Sequence, residues 1–288
     1  MNNKEKSIPL FLHTSIPRIL VTGANGMLGQ DLCPILKSKE YNVIETDVQT
    51  LDITNTDQVK EVLIKEKPDV VIHCAAYTNV DKAEEDINTA RLINKTGTEN
   101  IAKACKKIDA AMVYISTDYV FDGEGKEPYK PYDKTNPINN YGLTKLEGEE
   151  AVKNNLEKYY ICRTSWLYGI HGKNFVETML SLADKPELRV VDDQVGCPTW
   201  TVELSNGILK LLSGAEFGIY HVCGSGQTSW YNFAKKIFEL EGLNVNLKPC
   251  RSKEFPRPAK RPHYSVMENN NICRNWEEAL EDYMEVRK

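Results

Sequence analysis

RILVTGANGMLGQDL, residues 18–32, passes from a β-branched apolar run through three glycines into a helical pattern within fifteen residues. The run RILVT (18–22) reads as a strand, and Gly23-Ala24-Asn25-Gly26-Met27-Leu28-Gly29 forms a G-x-x-G-x-x-G loop at the start of a helix. Glycines permit a tight turn and let backbone approach a pyrophosphate, while the helix N-terminus presents free N–H groups to the anion. A lone glycine triplet is weak evidence, and a purely structural turn is the competing reading. Strand, loop and helix in this order make dinucleotide binding the expectation, with Gly23, Asn25, Gly26, Met27 and Leu28 against the phosphates.

Outward from this loop, NVIET (42–46), DVVIHCAA (69–76) and AMVYIST (111–117) read as further strands, the last two nearly continuous in apolar residues as in a sheet covered on both faces. Residues 27–38, 55–66 and 84–107 read as helices between them. The alternation predicts an α/β fold, a doubly wound Rossmann-type parallel sheet with a smaller α/β C-terminal domain. Pro34 falls inside the first helix, which is expected to kink or to be irregular there. In the second half a strand is expected within 159–169 and another at 188–193, with helices at 174–183, 201–212 and 229–240. The proline-rich EFPRPAKRPHY (254–264) reads as an extended surface segment. The expected organisation is a poorly ordered leader at 1–17, a dinucleotide-binding domain at 18–165 with a returning segment at about 196–222, and a substrate-binding domain at about 166–195 and 223–288.

The 288 residues are 41% hydrophobic and 27% charged, an ordinary globular composition, and the formal net charge of −5 offers no broad basic surface for nucleic acid. No apolar run is long enough to span a bilayer, and residues 1–17 lack a signal-peptide pattern. The eight cysteines are widely scattered, and neither they nor the five histidines show metal-ligand spacing. A cytoplasmic protein with reduced thiols and no metal site is the expectation.

Asp47, ending the second strand, is placed to accept hydrogen bonds from an adenosine ribose, unless it is merely a turn aspartate. Val48 and Gln49 supply no cation for a 2′-phosphate, so these residues lean towards NADH. Asp52 and Ile53 are candidates to lie against the adenine, and Ala75, Ala76 and Tyr77 to line the cofactor's course. At the carboxyl end of the strand AMVYI stand Ser116-Thr117-Asp118-Tyr119, and one loop later NNYGLTK carries Tyr141 four residues before Lys145. Hydride arriving at a carbonyl carbon puts negative charge on oxygen, so a proton donor must stand within about 3 Å. A phenol with pKa about 10 is a sluggish donor, and an ammonium one helical turn away would lower that value and hold the nicotinamide ribose. Thr117 is expected to donate a second hydrogen bond to the carbonyl.

The glycine loop, ISTDYVFDG (115–123) and YGLTK (141–145) together resemble the extended short-chain dehydrogenase/reductase family. CAAYTNVDKAE (74–84), RTSWLYG (163–169), GKNFVETML (172–180), DQVGCPTW (193–200), GIYHVCGSGQTSWYNFAKKIFE (218–239) and FPRPAKRPHYSV (255–266) narrow the likeness to its dTDP-sugar reductase branch, from about residue 18 to 266. The resemblance implies reduction of the C4 ketone of dTDP-4-dehydro-L-rhamnose by NADPH or NADH, for cell-surface polysaccharide synthesis. It makes Thr117, Tyr141 and Lys145 the catalytic residues, with Tyr141 as proton donor, and places Asp118, Tyr119 and Trp166 around the sugar. Trp166 also reads as a core aromatic. Arg257 and Arg261, in the proline-stiffened segment, become partners for the substrate diphosphate, or else solvated surface arginines. The resemblance also admits Mg2+ and a homodimer. Against it, only Met267 to Asn275 separates Val266 from the final Trp276 helix, a shorter stretch than the family leads one to expect. Two other readings stay open, a nucleotide-sugar epimerase or dehydratase of the same fold and a non-catalytic dinucleotide-binding subunit.

Overall fold

The structure is a computed structural model in which residues 16–288 are described. The expected leader lies almost wholly outside the described residues. Strands β1 (Arg18–Thr22), β2 (Asn42–Thr46), β3 (Val70–His73), β4 (Ala111–Thr117) and β5 (Tyr159–Thr164), with a sixth at Gly218–His221, form one parallel sheet. Its order is Gly218–His221, β5, β4, β3, β1, β2. The sequence order reverses at β1 beside β3, which creates a crevice at the carboxyl ends of these strands where ligands collect.

Alternation along each strand sends side chains to two separate cores. Ile19, Val21, Val70, Ile72, Ala111, Val113, Tyr160 and Cys162 face helices α1 (Met27–Ser38) and α8 (Thr201–Leu212). Leu20, Val71, Met112, Tyr114 and Ile161 face the opposite layer, where α2 (Thr56–Glu66), α5 (Thr98–Ile108) and α6 (Asn140–Asn155) pack. Both faces are therefore dry, which explains the nearly continuous apolar runs in β3 and β4.

Two helix expectations are corrected. Helix α1 runs on through Pro34 without interruption. Pro34 and Gln30, the residue whose carbonyl a helical N–H at position 34 would meet, are both exposed. The stretch 84–107 is not one helix but α3 (Lys82–Glu85), α4 (Ile87–Arg91), a π-helical turn at Leu92–Gly97, and α5. Asp86 breaks it, because its side chain accepts the Thr89 N–H and starts a new helix. The π turn places Asn94 so that its amide bonds both the N–H and the carbonyl of Tyr77 and reaches Thr144 Oγ1 on α6 at 3.0 Å.

A third core joins α7 (Phe175–Ser181), α9 (Trp230–Glu241) and α10 (Trp276–Val286) to the strand pair Leu188–Val191 and Leu247–Cys250. The strap 255–266 is extended, as its prolines require, and the carbonyl of Lys260 accepts from Asn139 Nδ2 at 2.8 Å. The short stretch after Val266 is tightly bonded. Asn269 Nδ2 donates to the carbonyls of Cys223 and Cys273, and Arg274 pairs with Glu203.

Beneath the sheet end lies an ion pair with almost no solvent contact. Arg163 of β5 and Glu149 of α6, 2% and 0% exposed, form two hydrogen bonds of 2.8 and 2.7 Å. Ser116 of β4 donates to the same carboxylate at 2.6 Å, and Arg163 also donates to the Pro131 carbonyl. Truncating one member leaves the other charged, buried and unpaired. Glu149→Ala is expected to destabilise the fold by about 3–5 kcal/mol in urea unfolding; a loss below about 1 kcal/mol would show that the pair does not hold these three elements together.

Candidate active site

The crevice opens into a cavity of about 550 Å³. Its floor is the glycine loop. Gly23 has φ +67°, and a Cβ there would stand 2.8 Å from Ala75 N; a Cβ on Gly29 would meet the carbonyl oxygens of Gly23 and Ala24 at 2.5 Å. The loop thus packs backbone against backbone. Helix α1 begins with no side-chain cap on Gly26 and no acidic residue in its first turn, so its N–H groups remain available to an anion. These features fit the pyrophosphate of a dinucleotide.

Helix α6 supplies the far wall. Asn139 caps it by accepting the Gly142 N–H at 2.8 Å, and Gly142 lets the helix seat on the Tyr119 carbonyl, 2.1 Å from where a Cβ would sit. Tyr141 lies in the first turn and Lys145 one turn on. Thr117 ends β4, and its hydroxyl lies beside the Tyr141 phenol. Burial pushes the Tyr141 phenol up to about 12, with the neighbouring Thr117 hydroxyl opposing the rise. Lys145, 2% exposed, donates to the Ile115 carbonyl at 2.7 Å and lies 4.1 Å from the centre of the Tyr114 ring. Desolvation brings its ammonium down to about 7, against the pull of Glu149 one turn further along. Lys145 is not among the influences on the Tyr141 phenol, because its ammonium is turned to the Ile115 carbonyl of β4 and burial dominates at the phenol.

Of the residues picked out from sequence, Gly23, Gly26, Met27, Leu28, Ala75, Ala76, Thr117, Asp118, Tyr119, Tyr141, Lys145 and Trp166 line this cavity. Others do not. Asp47 is engaged as a turn aspartate, accepting the Gln49 and Thr50 N–H groups, with Asn25 donating to its other oxygen. Asp52 caps its own turn through Thr54, Ile53 is buried in the second core, and Tyr77 is held by Asn94. Arg257 and Arg261 line a second cavity of about 900 Å³ with Arg251, Lys253 and Lys260. Arg261 is already paired through both terminal nitrogens with Asp81, at 2.5 and 2.9 Å, whereas Arg257 is 66% exposed.

Trp230 was missed. Its ring stacks on Trp166 with centroids 3.5 Å apart and planes 8° from parallel, and both line the cavity. Trp166 holds a left-handed backbone, φ +46°, uncommon for a bulky residue, and is half-buried, packing against the third core while it lines the cavity, so the core-aromatic and pocket readings both describe part of it. The signal available in sequence was only the aromatic position after Ser229, the cap of α9. Among the described residues no three His, Cys, Asp or Glu side chains cluster closely enough to hold a metal ion, and no helix is long and apolar enough to cross a membrane.

Residues 17–287 match the family described as RmlD substrate binding domain. The chain belongs to the RmlD family. Similar members include the spore coat polysaccharide biosynthesis protein SpsK of Bacillus subtilis (strain 168), 42% identical over 94% of this chain and 98% of that one. A dTDP-4-dehydrorhamnose reductase structure from Clostridium acetobutylicum ATCC 824 is 50% identical with a TM-score of 0.91, covering 93% of this chain and 99% of that one. One from Bacillus anthracis str. Ames, in complex with NADP, is 43% identical with a TM-score of 0.92, covering 94% and 100%. The RmlD-family fold is that of the extended short-chain dehydrogenases, as the sequence motifs implied.

The backbone contacts at Gly29 generate a prediction. Gly29→Ala must open the loop against two carbonyl oxygens, and is expected to weaken NADPH and NADH binding at least tenfold in a fluorescence titration; unchanged affinity for both would remove the loop from the dinucleotide site.

Proposed function

We propose that this protein reduces the C4 ketone of dTDP-4-dehydro-L-rhamnose to dTDP-L-rhamnose at the expense of NADPH or NADH, a step in polysaccharide synthesis. The observation that carries the reading is the convergence of Thr117, Tyr141 and Lys145 in a cavity that begins at an uncapped, glycine-lined helix N-terminus. The family's reductases supply the substrate class, and the NADP complex of the Bacillus anthracis relative supports the phosphorylated cofactor.

When bound, the dinucleotide supplies a hydride to C4. Gly23, Gly26, Met27 and Leu28 hold its pyrophosphate on the N-terminus of α1, and Ala75 and Ala76 guide it along the sheet edge. Tyr141 gives its proton to the carbonyl oxygen as charge develops there, and Thr117 supports the same oxygen. Raised by burial, the phenol stays protonated across the working range. It is therefore poised as an acid, and the Lys145 ammonium, on leaving the Ile115 carbonyl, would be the charge that stabilises the phenolate left behind. Trp166, backed by Trp230, walls the sugar, with Asp118 and Tyr119 beside it. The lobe formed by about 166–195 and 223–288 holds the nucleotide sugar, and Arg257, the freer of the two arginines, is placed to meet its diphosphate.

Tyr141→Phe is expected to lower turnover at least a hundredfold while dTDP and cofactor affinities stay within about threefold. Cofactor oxidation at the native rate in that variant would overturn the assignment. The native kcat/KM for the sugar is expected to fall as pH rises through about 7, where Lys145 loses its ammonium; a flat profile to pH 9 would remove Lys145 from this role. An assay over several nucleotide 4-keto-6-deoxy sugars tests the substrate, because a relative 40% identical is named dTDP-4-keto-6-deoxy-D-glucose reductase.

A further inference from the structure

Thr117 has one proton and several claims on it. Its oxygen accepts the Tyr119 N–H at 3.2 Å, it lies beside the Tyr141 phenol, and its own O–H donates to Asp118 Oδ1 at 3.0 Å. A hydroxyl donates once. While the Asp118 carboxylate takes that proton, none is left for a substrate carbonyl. Turning the hydroxyl to the substrate would strip a 2% exposed carboxylate of a hydrogen bond, and its Oδ2 is already buried with none of ordinary geometry among the described residues.

Resting on the reductase reading, we propose that Asp118 is a positioning residue that switches the Thr117 hydroxyl: its ionised carboxylate draws the Thr117 proton away, and its protonated form releases that proton to the substrate carbonyl. The Asp118 proton is not consumed; the proton that reaches the product oxygen still comes from Tyr141.

The surroundings suit such a switch. Asp118 sits between β4, the first turn of α6 and the strap, whose Ser265 hydroxyl lies beside it. The titratable neighbours are Tyr119 and Tyr141, held neutral by burial, and Cys223, held neutral by its neighbour Cys197 and by burial. The nearby cations are engaged elsewhere, Lys145 on the Ile115 carbonyl and Arg261 on Asp81. Burial without a cation pushes the Asp118 carboxyl up to about 6, although the Ser265 and Thr117 hydroxyls pull it down. The switch therefore turns within the physiological range.

The test measures kcat/KM for the 4-keto sugar at saturating NADPH from pH 5 to 8. For the native protein it is expected to fall at least tenfold between pH 5 and 7, one proton's loss at a pKa of about 6. This fall begins about one pH unit before the one set by Lys145. In Asp118→Asn, which cannot ionise, the change over the same window is expected to shrink to about twofold. Thr117→Val is slower but has no hydroxyl to switch, and is likewise expected to lose the limb near pH 6; it decides the matter if Asp118→Asn does not fold. A limb near pH 6 that persists in either folded variant overturns the proposal. A native protein that oxidises NADPH with no 4-keto sugar at any pH overturns the reductase reading itself.

Discussion

The buried pair of Glu149 and Arg163 is the constraint on which the site depends. Two charges removed from water are costly, and this pair is held by two parallel hydrogen bonds, the Ser116 hydroxyl and the Pro131 carbonyl. The arrangement has a geometric consequence. Ser116 precedes Thr117 on β4, Glu149 follows Lys145 by one turn on α6, and Arg163 lies on the neighbouring strand β5. Fixing these three side chains fixes the distance between the strand end that carries Thr117 and the helix that carries Tyr141 and Lys145. The same carboxylate also pulls the Lys145 pKa upward, against a desolvation that alone would strip its charge further.

The glycine loop plays the matching part at the other side of the cavity. Its close backbone contacts leave space and free N–H groups where a cofactor phosphate would lie, and the dry sheet beneath holds it still. The site is thus rigid on the dinucleotide side. The sugar side is assembled from more distant pieces of chain, namely the Trp166 and Trp230 stack, the strap, and the Asp81–Arg261 pair that ties the loop after β3 to that strap.

Much of the nucleotide half was legible in the sequence because its determinants are local. The apolar runs of β1 to β4, the glycine spacing and the i, i+4 placement of Tyr141 and Lys145 each report on a few adjacent residues. What escaped depends on contacts between distant positions. Asp81 meets Arg261, which removes that arginine from the free cations expected for a diphosphate. Glu149 meets Arg163, Trp230 meets Trp166, and Asp47 spends its carboxylate on its own turn and on Asn25. Two local readings also failed for identifiable reasons. Asp86 prefers to cap a new helix rather than continue the old one, and Pro34 stands on the exposed side of a helix that continues through it.

The central claim is hydride delivery to C4 of a nucleotide 4-keto sugar in this cavity. Its most direct test is incubation of the protein with dTDP-4-dehydro-L-rhamnose and NADPH dideuterated at the nicotinamide C4, with the product read by NMR and mass spectrometry. The account predicts dTDP-L-rhamnose carrying one deuterium at C4 and a matching amount of NADP+. Sugar recovered without deuterium, or converted with no net cofactor oxidation, would contradict it.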